Sequence, residues 1–180
     1  MPHVPTVEPE TATPEQRRLL EEIVRDHGSA TNMKRTLVHS QVALDALLTW
    51  YPLYREARTF LGERATTLFC YAISTRNSCL LCTTFFRHDL IVAGEDPADF
   101  RTDEREDVII AFGAQLAADA NGVDDELFAR LSSYFTPEQI VTLTGFGALM
   151  IATNVFNSAL GVEVDEHLLS YRPPTVATGA

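Results

Sequence analysis

Apolar residues recur along most of this chain at the three- and four-residue spacing of amphipathic helices. In the first such segment they are Leu19, Leu20, Ile23 and Val24. No segment has the pattern of a strand, so we predict an all-α protein, a bundle of about seven to eight helices. The predicted helices cover residues 14–27, 31–38, 41–59, 61–75, 78–93, 102–120, 125–133 and 137–160.

Local signals mark several helix ends. Thr13 and Thr136 each precede a Pro-Glu-Gln sequence, which is typical of an N-cap followed by proline in the first helical turn. Gly28 and Gly161 follow the last periodic residues of two segments and predict helix stops. Pro52 lies inside the segment 41–59 and should kink that helix or divide it in two.

The last predicted helix is uncharged over almost its whole length. Residues 139–162 contain no Asp, Glu, Lys or Arg, and a stretch of that length could cross a bilayer. It also holds many polar groups and lacks flanking basic residues, which argues against a membrane span. We expect it to be the buried centre of a bundle or of an oligomer. Its polar residues are Gln139, Thr142, Thr144, Thr153, Asn154, Asn157 and Ser158.

The length of 180 residues predicts a single domain, residues 1–180, with loosely held tails at 1–12 and 171–180. The net charge of −11 makes nucleic acid a poor partner, because phosphate binding needs clustered Lys and Arg. Three cysteines do not form a secreted disulfide scaffold. The N-terminus lacks the pattern of a signal peptide, so a cytoplasmic location is expected.

The candidate chemistry lies at Cys79 and Cys82, in the predicted first turn of the helix 78–93, with Asn77 or Ser78 as its N-cap. A helix N-terminus favours a thiolate, which attacks peroxides and disulfides, and the two cysteines could form a disulfide with each other. Two alternatives stay open. The pair could be plain core, or it could join a histidine in a zinc site. The one further thiol, Cys70, has the surroundings of a core residue, which argues against zinc. We expect no metal and no cofactor.

Three groups of residues along the chain resemble one known family. They are Asp26-His27-Gly28, Asn32-Met33 and His39-Ser40 near the start; Asn77, Cys79, Cys82, Phe85-Phe86 and Gly94-Glu95-Asp96-Pro97 in the centre; and Asn154, Asn157 and Ala159-Leu160-Gly161-Val162 near the end. They are similar to the carboxymuconolactone decarboxylase family, in its alkylhydroperoxidase-D-like branch, over roughly residues 5–168. The resemblance implies an all-helical fold that assembles into homo-trimers or homo-hexamers.

For the peroxidase branch, the resemblance implies that Cys82 reacts with peroxide and Cys79 resolves the product as a disulfide. The glutamate and histidine of that branch's proton relay would fall at Thr67 and Phe86, so neither is present here. The nearest candidates are Glu63, one helical turn before Thr67, and His88. His88 lies about 240° around the helix from Cys82, so it is a weak candidate unless it acts across a subunit interface.

The sequence therefore favours a thiol-disulfide oxidoreductase of the alkylhydroperoxidase type, with Cys79 and Cys82 as its redox pair. A pocket lined by Thr67, Tyr71, Phe85 and Phe86 would take an organic hydroperoxide or another apolar small molecule, and a thiol protein would supply electrons. The alternative is a family member that lacks the peroxidase relay. It would act as a lyase or isomerase, or bind a small apolar ligand, with structural cysteines.

Overall fold

The computed structural model describes residues 1–174, and this part of the chain folds as helices with no strand. The predicted all-α class is confirmed. The α-helices are α1 (Pro14–His27), α2 (Asn32–Leu37), α3 (Gln41–Leu48), α4 (Trp50–Leu61), α5 (Glu63–Arg76), α6 (Leu80–Val92), α7 (Glu104–Ala118), α8 (Asp125–Tyr134) and α9 (Pro137–Leu160). Short 3-10 helices cover Ala120–Gly122 and Glu166–Tyr171.

The two predicted capping motifs open α1 and α9. In both, the threonine hydroxyl accepts the N–H of the third helical residue, and the glutamine there accepts the threonine N–H. Gly28 and Gly161 end the same helices in the left-handed conformation that glycine adopts at little cost.

Pro52 divides the segment 41–59, and the break lies three residues before the proline, at Thr49. Proline has no N–H, and its ring clashes with the carbonyl four residues earlier. That carbonyl belongs to Leu48, where α3 ends, so Pro52 is accommodated in the first turn of the new helix α4.

The core is arranged around α5, which packs against α4, α6, α7 and α9. The Phe69 ring of α5 lies between two glycines, Gly113 on α7 and Gly147 on α9. A Cβ atom at either position would come within 3.0 Å of the ring. These glycines let the three helices approach closely.

Helix α9 is long and apolar enough to cross a membrane by length and composition. In this fold its inner face, with Leu143, Phe146 and Met150, is buried in the main core. Its outer face leaves Val141 and Val155 exposed. This outer face would be available for contact with another subunit. The oligomer itself stays a prediction.

The N-terminal segment 1–12 is not loosely held, contrary to expectation. Val7 is buried in a second apolar cluster with residues of α1–α3. The backbone N–H of His3 donates to the Leu160 carbonyl at 2.8 Å, and that of Val7 donates to the Arg35 carbonyl at 3.1 Å. Arg35 also pairs with Glu8. At the other end, residues 175–180 of the predicted tail lie outside the described residues.

Two alanine substitutions in α9 test the close packing. At Gly147 a Cβ would lie 2.9 Å from Leu116 and 3.0 Å from Phe69, whereas at Gly145 its nearest neighbour is Leu53 at 3.8 Å. We expect Gly147→Ala to lower the free energy of unfolding by about 1–3 kcal/mol through overpacking. Gly145→Ala should leave it unchanged or raise it by up to about 1 kcal/mol through helix propensity. Urea unfolding of both variants measures this, and equal stabilities would contradict the account.

Candidate functional site

The two cysteines lie where α5 turns into α6, and the turn differs from the predicted one. Neither Asn77 nor Ser78 caps α6: the N-cap is Cys79, and the helix begins at Leu80. Ser78 has a φ of +55°, a left-handed conformation that residues other than glycine rarely adopt. The N–H of Cys79 then donates to the Ser74 carbonyl of α5 at 3.1 Å, which folds the chain back tightly.

Two amide side chains, those of the buried Asn154 and the half-buried Asn77, hold this turn in place. The Asn154 side chain of α9 donates to the Asn77 side-chain oxygen at 3.2 Å, and Asn77 donates to the Ala117 carbonyl of α7 at 3.2 Å. The Ser74 hydroxyl lies 3.4 Å from the Asn154 oxygen. Because an unpaired amide in the core would be costly, these bonds tie the start of α6 to both neighbouring helices.

One turn further along α9, a second asparagine reaches the thiols. The Asn157 side-chain nitrogen donates to the Sγ atom of Cys82 at 3.2 Å, and both residues are buried. Cys79 and Cys82 are free thiols with almost no exposed surface. The two thiols are therefore shielded from bulk water, and Cys82 is held in position by Asn157 of the neighbouring helix α9.

The two thiols are electrostatically different. The Cys82 thiol donates a hydrogen bond to the sulfur of Cys79, and this bond lowers the Cys79 pKa to about 7 although burial alone would raise it. Hydrogen bonds from the backbone N–H groups of Cys82 and Leu81 and from the Ser158 hydroxyl also lower it. The same bond to Cys79, together with burial, raises the pKa of Cys82. Cys79 is therefore the more acidic thiol of the pair. Burial also raises the pKa of Cys70.

Cys82 lines a cavity of about 110 Å³ that is partly open to the protein surface. Four aromatic side chains form much of its wall, and the others come from α2, α3, α6 and α9 and the segment after α9. The aromatic ones are Trp50, Tyr51, Phe85 and Phe86. Cys79 instead lines a separate, more open cleft of about 360 Å³ on the other side of Leu81 and Asn157.

Of the predicted site residues, only Cys79, Cys82, Phe85 and Phe86 come together. Glu63 is at the first position of α5, where its side chain is 77% exposed and pairs with Arg58 at 3.1 Å. The Thr67 hydroxyl donates to the backbone carbonyl of Glu63 at 3.1 Å, and Thr67 does not line the Cys82 cavity. The structure thus brings neither residue to the thiols.

Tyr71 and His88 also lie elsewhere. Tyr71 packs edge-on against Phe100 beside a different surface cleft. The Nδ1 atom of His88 is 3.0 Å from Asp89, and its ring packs edge-on against Tyr171. The predicted orientation of His88 away from the thiols of its own subunit agrees with this placement.

Most of the residues that line the cavity were not predicted as site residues, among them Lys34, Trp50 and Asn157. The available signals were that Lys34 is the chain's single lysine and that Asn157 is a strongly polar residue in a charge-free helix. Among residues 1–174, no three His, Cys, Asp or Glu side chains form a group that could hold a metal ion.

Comparison with solved structures decides the fold. An alkylhydroperoxidase AhpD core protein, described as an uncharacterized peroxidase-related protein from Ralstonia eutropha JMP134, superposes with a TM-score of 0.71 at 16% identity. The match covers 93% of this chain and 94% of that one. This chain has the AhpD fold. No protein-family model matches its sequence, and no curated protein is recognisably similar to it in sequence.

Two further neighbours widen the chemistry associated with the AhpD fold. A peroxidase-related protein from Silicibacter sp. TM1040 matches with a TM-score of 0.69 at 17% identity, over 91% of this chain and 94% of that one. The debrominase Bmp8 matches with a TM-score of 0.70 at 16% identity, over 93% and 95%. A cysteine-to-alanine variant of that debrominase has been solved in complex with 2,3,4-tribromopyrrole. The fold expected from the family resemblance is confirmed.

The ionisation of the pair gives a direct prediction. Since the Cys79 pKa is lowered to about 7, the ultraviolet absorbance of thiolate in the reduced protein should rise with a midpoint near pH 7. Cys79→Ser should remove this step, and Cys70→Ala should keep it, because Cys70 stays protonated in that range. A first midpoint at or above the ordinary cysteine value of about 8.5 would contradict the assignment.

Proposed function

We propose that this protein is a thiol-disulfide oxidoreductase of the peroxidase type, in which the Cys79–Cys82 dithiol reduces a small, largely apolar substrate. The observation that carries the proposal is the asymmetry of the pair: Cys82 lines an aromatic cavity, whereas its neighbour Cys79 lies outside that cavity and has a pKa lowered to about 7. The AhpD fold, shared with peroxidase-related proteins, supports the same chemistry.

The thiol pair itself would supply the proton route for which the sequence offers no histidine or glutamate. The Cys82 thiol already donates to the Cys79 sulfur, so transfer of that proton gives a Cys82 thiolate and a Cys79 thiol. Asn157 then donates to the new thiolate and stabilises it. Cys79 acts in this step as the general base of Cys82.

With an organic hydroperoxide, the Cys82 thiolate attacks the terminal oxygen and the O–O bond breaks. The alkoxide takes up one proton and leaves as an alcohol, and Cys82 becomes a sulfenic acid. The Cys79 sulfur then attacks Cys82, the disulfide forms, and hydroxide leaves as water after protonation. Two thiols and one hydroperoxide thus give one disulfide, one alcohol and one water.

The cavity would set the scope of the substrate. Phe86 stands where the resemblance places a relay histidine, and here it forms part of an apolar wall beside Cys82. Such a wall favours an apolar hydroperoxide over hydrogen peroxide. A thiol compound or thiol protein is then needed to reduce the disulfide. That donor, the homo-oligomer and the cytoplasmic location stay predictions.

A second candidate is reductive removal of a halogen from a small aromatic ring. It is favoured by the four aromatic side chains of the cavity and by the fold shared with a debrominase. In that reaction the Cys82 thiolate would take the halogen from carbon, the ring carbon would take up a proton, and attack by Cys79 would release halide. The dithiol is again converted to a disulfide.

The proposal predicts which thiols react. Reduced protein treated with one equivalent of cumene hydroperoxide should lose two alkylatable thiols, mapped by intact and peptide mass to Cys79 and Cys82. Cys82→Ser should abolish peroxide consumption. Cys79→Ser should slow it by the ~10²–10⁴-fold typical of a lost acid–base group and stop at a sulfenic acid on Cys82.

Cys70→Ala is the matched control, because it removes a thiol that is buried away from the cavity, and its rate should equal that of the unchanged protein. Full peroxide turnover by Cys82→Ser would overturn the proposal. If all three thiols stayed alkylatable with both hydroperoxides and bromopyrroles, the cysteines would be structural. The lyase, isomerase or ligand-binding alternative would then stand.

A further inference from the structure

A buried cation lines the Cys82 cavity and has no role in the thiol chemistry. Lys34 is the only lysine of the chain, and it is 5% exposed. Its Nζ atom donates to the Ser29 carbonyl at 3.0 Å and lies 5.3 Å from the centre of the Tyr51 ring. A buried lysine is rare because removing an ammonium group from water is costly unless the charge is compensated.

The compensation within the described chain is incomplete. An ammonium group has three N–H donors, and the Ser29 carbonyl takes one of them. Asp165 lines the same cavity, but its carboxylate accepts the N–H of Asn32 at 2.8 Å and forms no ion pair with Lys34 within 4 Å. In residues 1–174 no other carboxylate pairs with Lys34. Lys34 therefore has N–H donors at the cavity wall for which the described chain provides no acceptor.

Two more polar atoms at the same cavity are buried and unpaired among the described residues. The indole Nε1–H of Trp50 is a donor without an acceptor, and the side-chain oxygen of Asn157 is an acceptor without a donor. Asn157 is 2% exposed, and its nitrogen is already bound to Cys82. Buried polar groups are normally satisfied, so both atoms would gain a partner if the cavity wall adjusted to a polar ligand or to a water molecule.

We propose that Lys34 selects the substrate of this cavity by binding a carboxylate, so that the substrate is a small aromatic acid and not a neutral apolar molecule. The Lys34 ammonium binds the carboxylate, and the aromatic wall beside Cys82 takes the ring. The inference deepens the proposed function and rests on it for the reaction, but the binding step stands on its own.

The dimensions and charges suit such a ligand. The cavity of about 110 Å³ is of the same order as the roughly 150 Å³ that hold a benzene molecule in a protein core. Its aromatic walls accept a ring face. The protein as a whole carries a net charge of −11, so attraction of an acid depends on this local cation and not on the overall field.

Because Lys34 is the single lysine, it can be observed alone. Protein produced with isotope-labelled lysine gives one lysine side chain in the NMR spectrum, and benzoate and benzamide serve as matched probes that differ in charge. Binding is measured on the reduced protein and on Cys82→Ser, in which the thiol reaction is blocked. We expect benzoate to shift the Lys34 signals and to bind about ten- to a hundredfold more tightly than benzamide, as is typical of a hydrogen bond to a charged group.

Lys34→Met keeps the side-chain length and removes the charge, so it should abolish the preference for benzoate and leave benzamide binding nearly unchanged. Arg17→Met is the charge control, because Arg17 is an exposed cation of α1 outside the cavity, and it should change neither. Equal affinities for the two probes, or a preference that survives Lys34→Met, would overturn the inference. If Lys34→Met fails to fold, unchanged Lys34 signals on addition of benzoate to the unmodified protein would overturn it equally.

The pH dependence gives a second readout. Burial lowers the pKa of Lys34 to about 8, against the attraction of Asp165, so benzoate binding should weaken as the pH rises above about 8 and the ammonium loses its proton. By linkage, benzoate should move the titration of the Lys34 signals to higher pH. The other titratable groups nearby are Tyr51 and Cys82 of the same cavity, whose pKa values are raised, and His27, whose pKa is lowered by burial.

The two proposals fail separately. Benzoate preference without oxidation of Cys79 and Cys82 by any hydroperoxide or bromopyrrole would leave the acid-binding site and remove the redox function. Rapid oxidation by cumene hydroperoxide without any preference for benzoate would keep the redox function and remove the role of Lys34.

Discussion

The hydrogen bond from Asn157 to Cys82 joins the core of this protein to its chemistry. It can form only because α9 runs through the bundle next to the start of α6, with Asn154 one turn earlier fixing the turn at Asn77. The close approach of α9 depends in turn on Gly147, which leaves room for Phe69. A largely apolar helix with two inward amides thus positions both the turn and the thiol.

A second consequence concerns proton transfer. Within the described chain no histidine or carboxylate pairs with either thiol, so the site lacks the usual acid–base partner of a reactive cysteine. Backbone N–H groups at the start of α6 and the Cys82 thiol instead stabilise a Cys79 thiolate. The pair can then act as base and nucleophile together, with both thiols buried. Burial opposes ionisation of an isolated thiol. It also strengthens the hydrogen bonds that stabilise the Cys79 thiolate.

The sequence predicted the fold well and the site in part. Helical periodicity and the capping motifs at Thr13 and Thr136 act locally, so they were readable, and Cys79, Cys82, Phe85 and Phe86 followed from adjacency on one helix. Glu63 was placed by helical phase alone, which cannot reveal that the first turn of α5 lies at the surface beside Arg58. Lys34 and Trp50 reach the cavity from other helices. Their proximity to Cys82 is a tertiary property that spacing does not encode.

The most direct test of the account is the pH dependence of the second-order rate constant for oxidation of the reduced protein by cumene hydroperoxide. Trp50, the single tryptophan and a neighbour of the cavity, provides a fluorescence signal for stopped-flow measurement. If the Cys79 thiolate is the base for Cys82, the rate constant should rise through pH about 7 and then level off, and this step should vanish in Cys79→Ser. A rate constant that begins to rise only above the ordinary cysteine pKa of about 8.5, with the same profile in Cys79→Ser, would contradict the central claim.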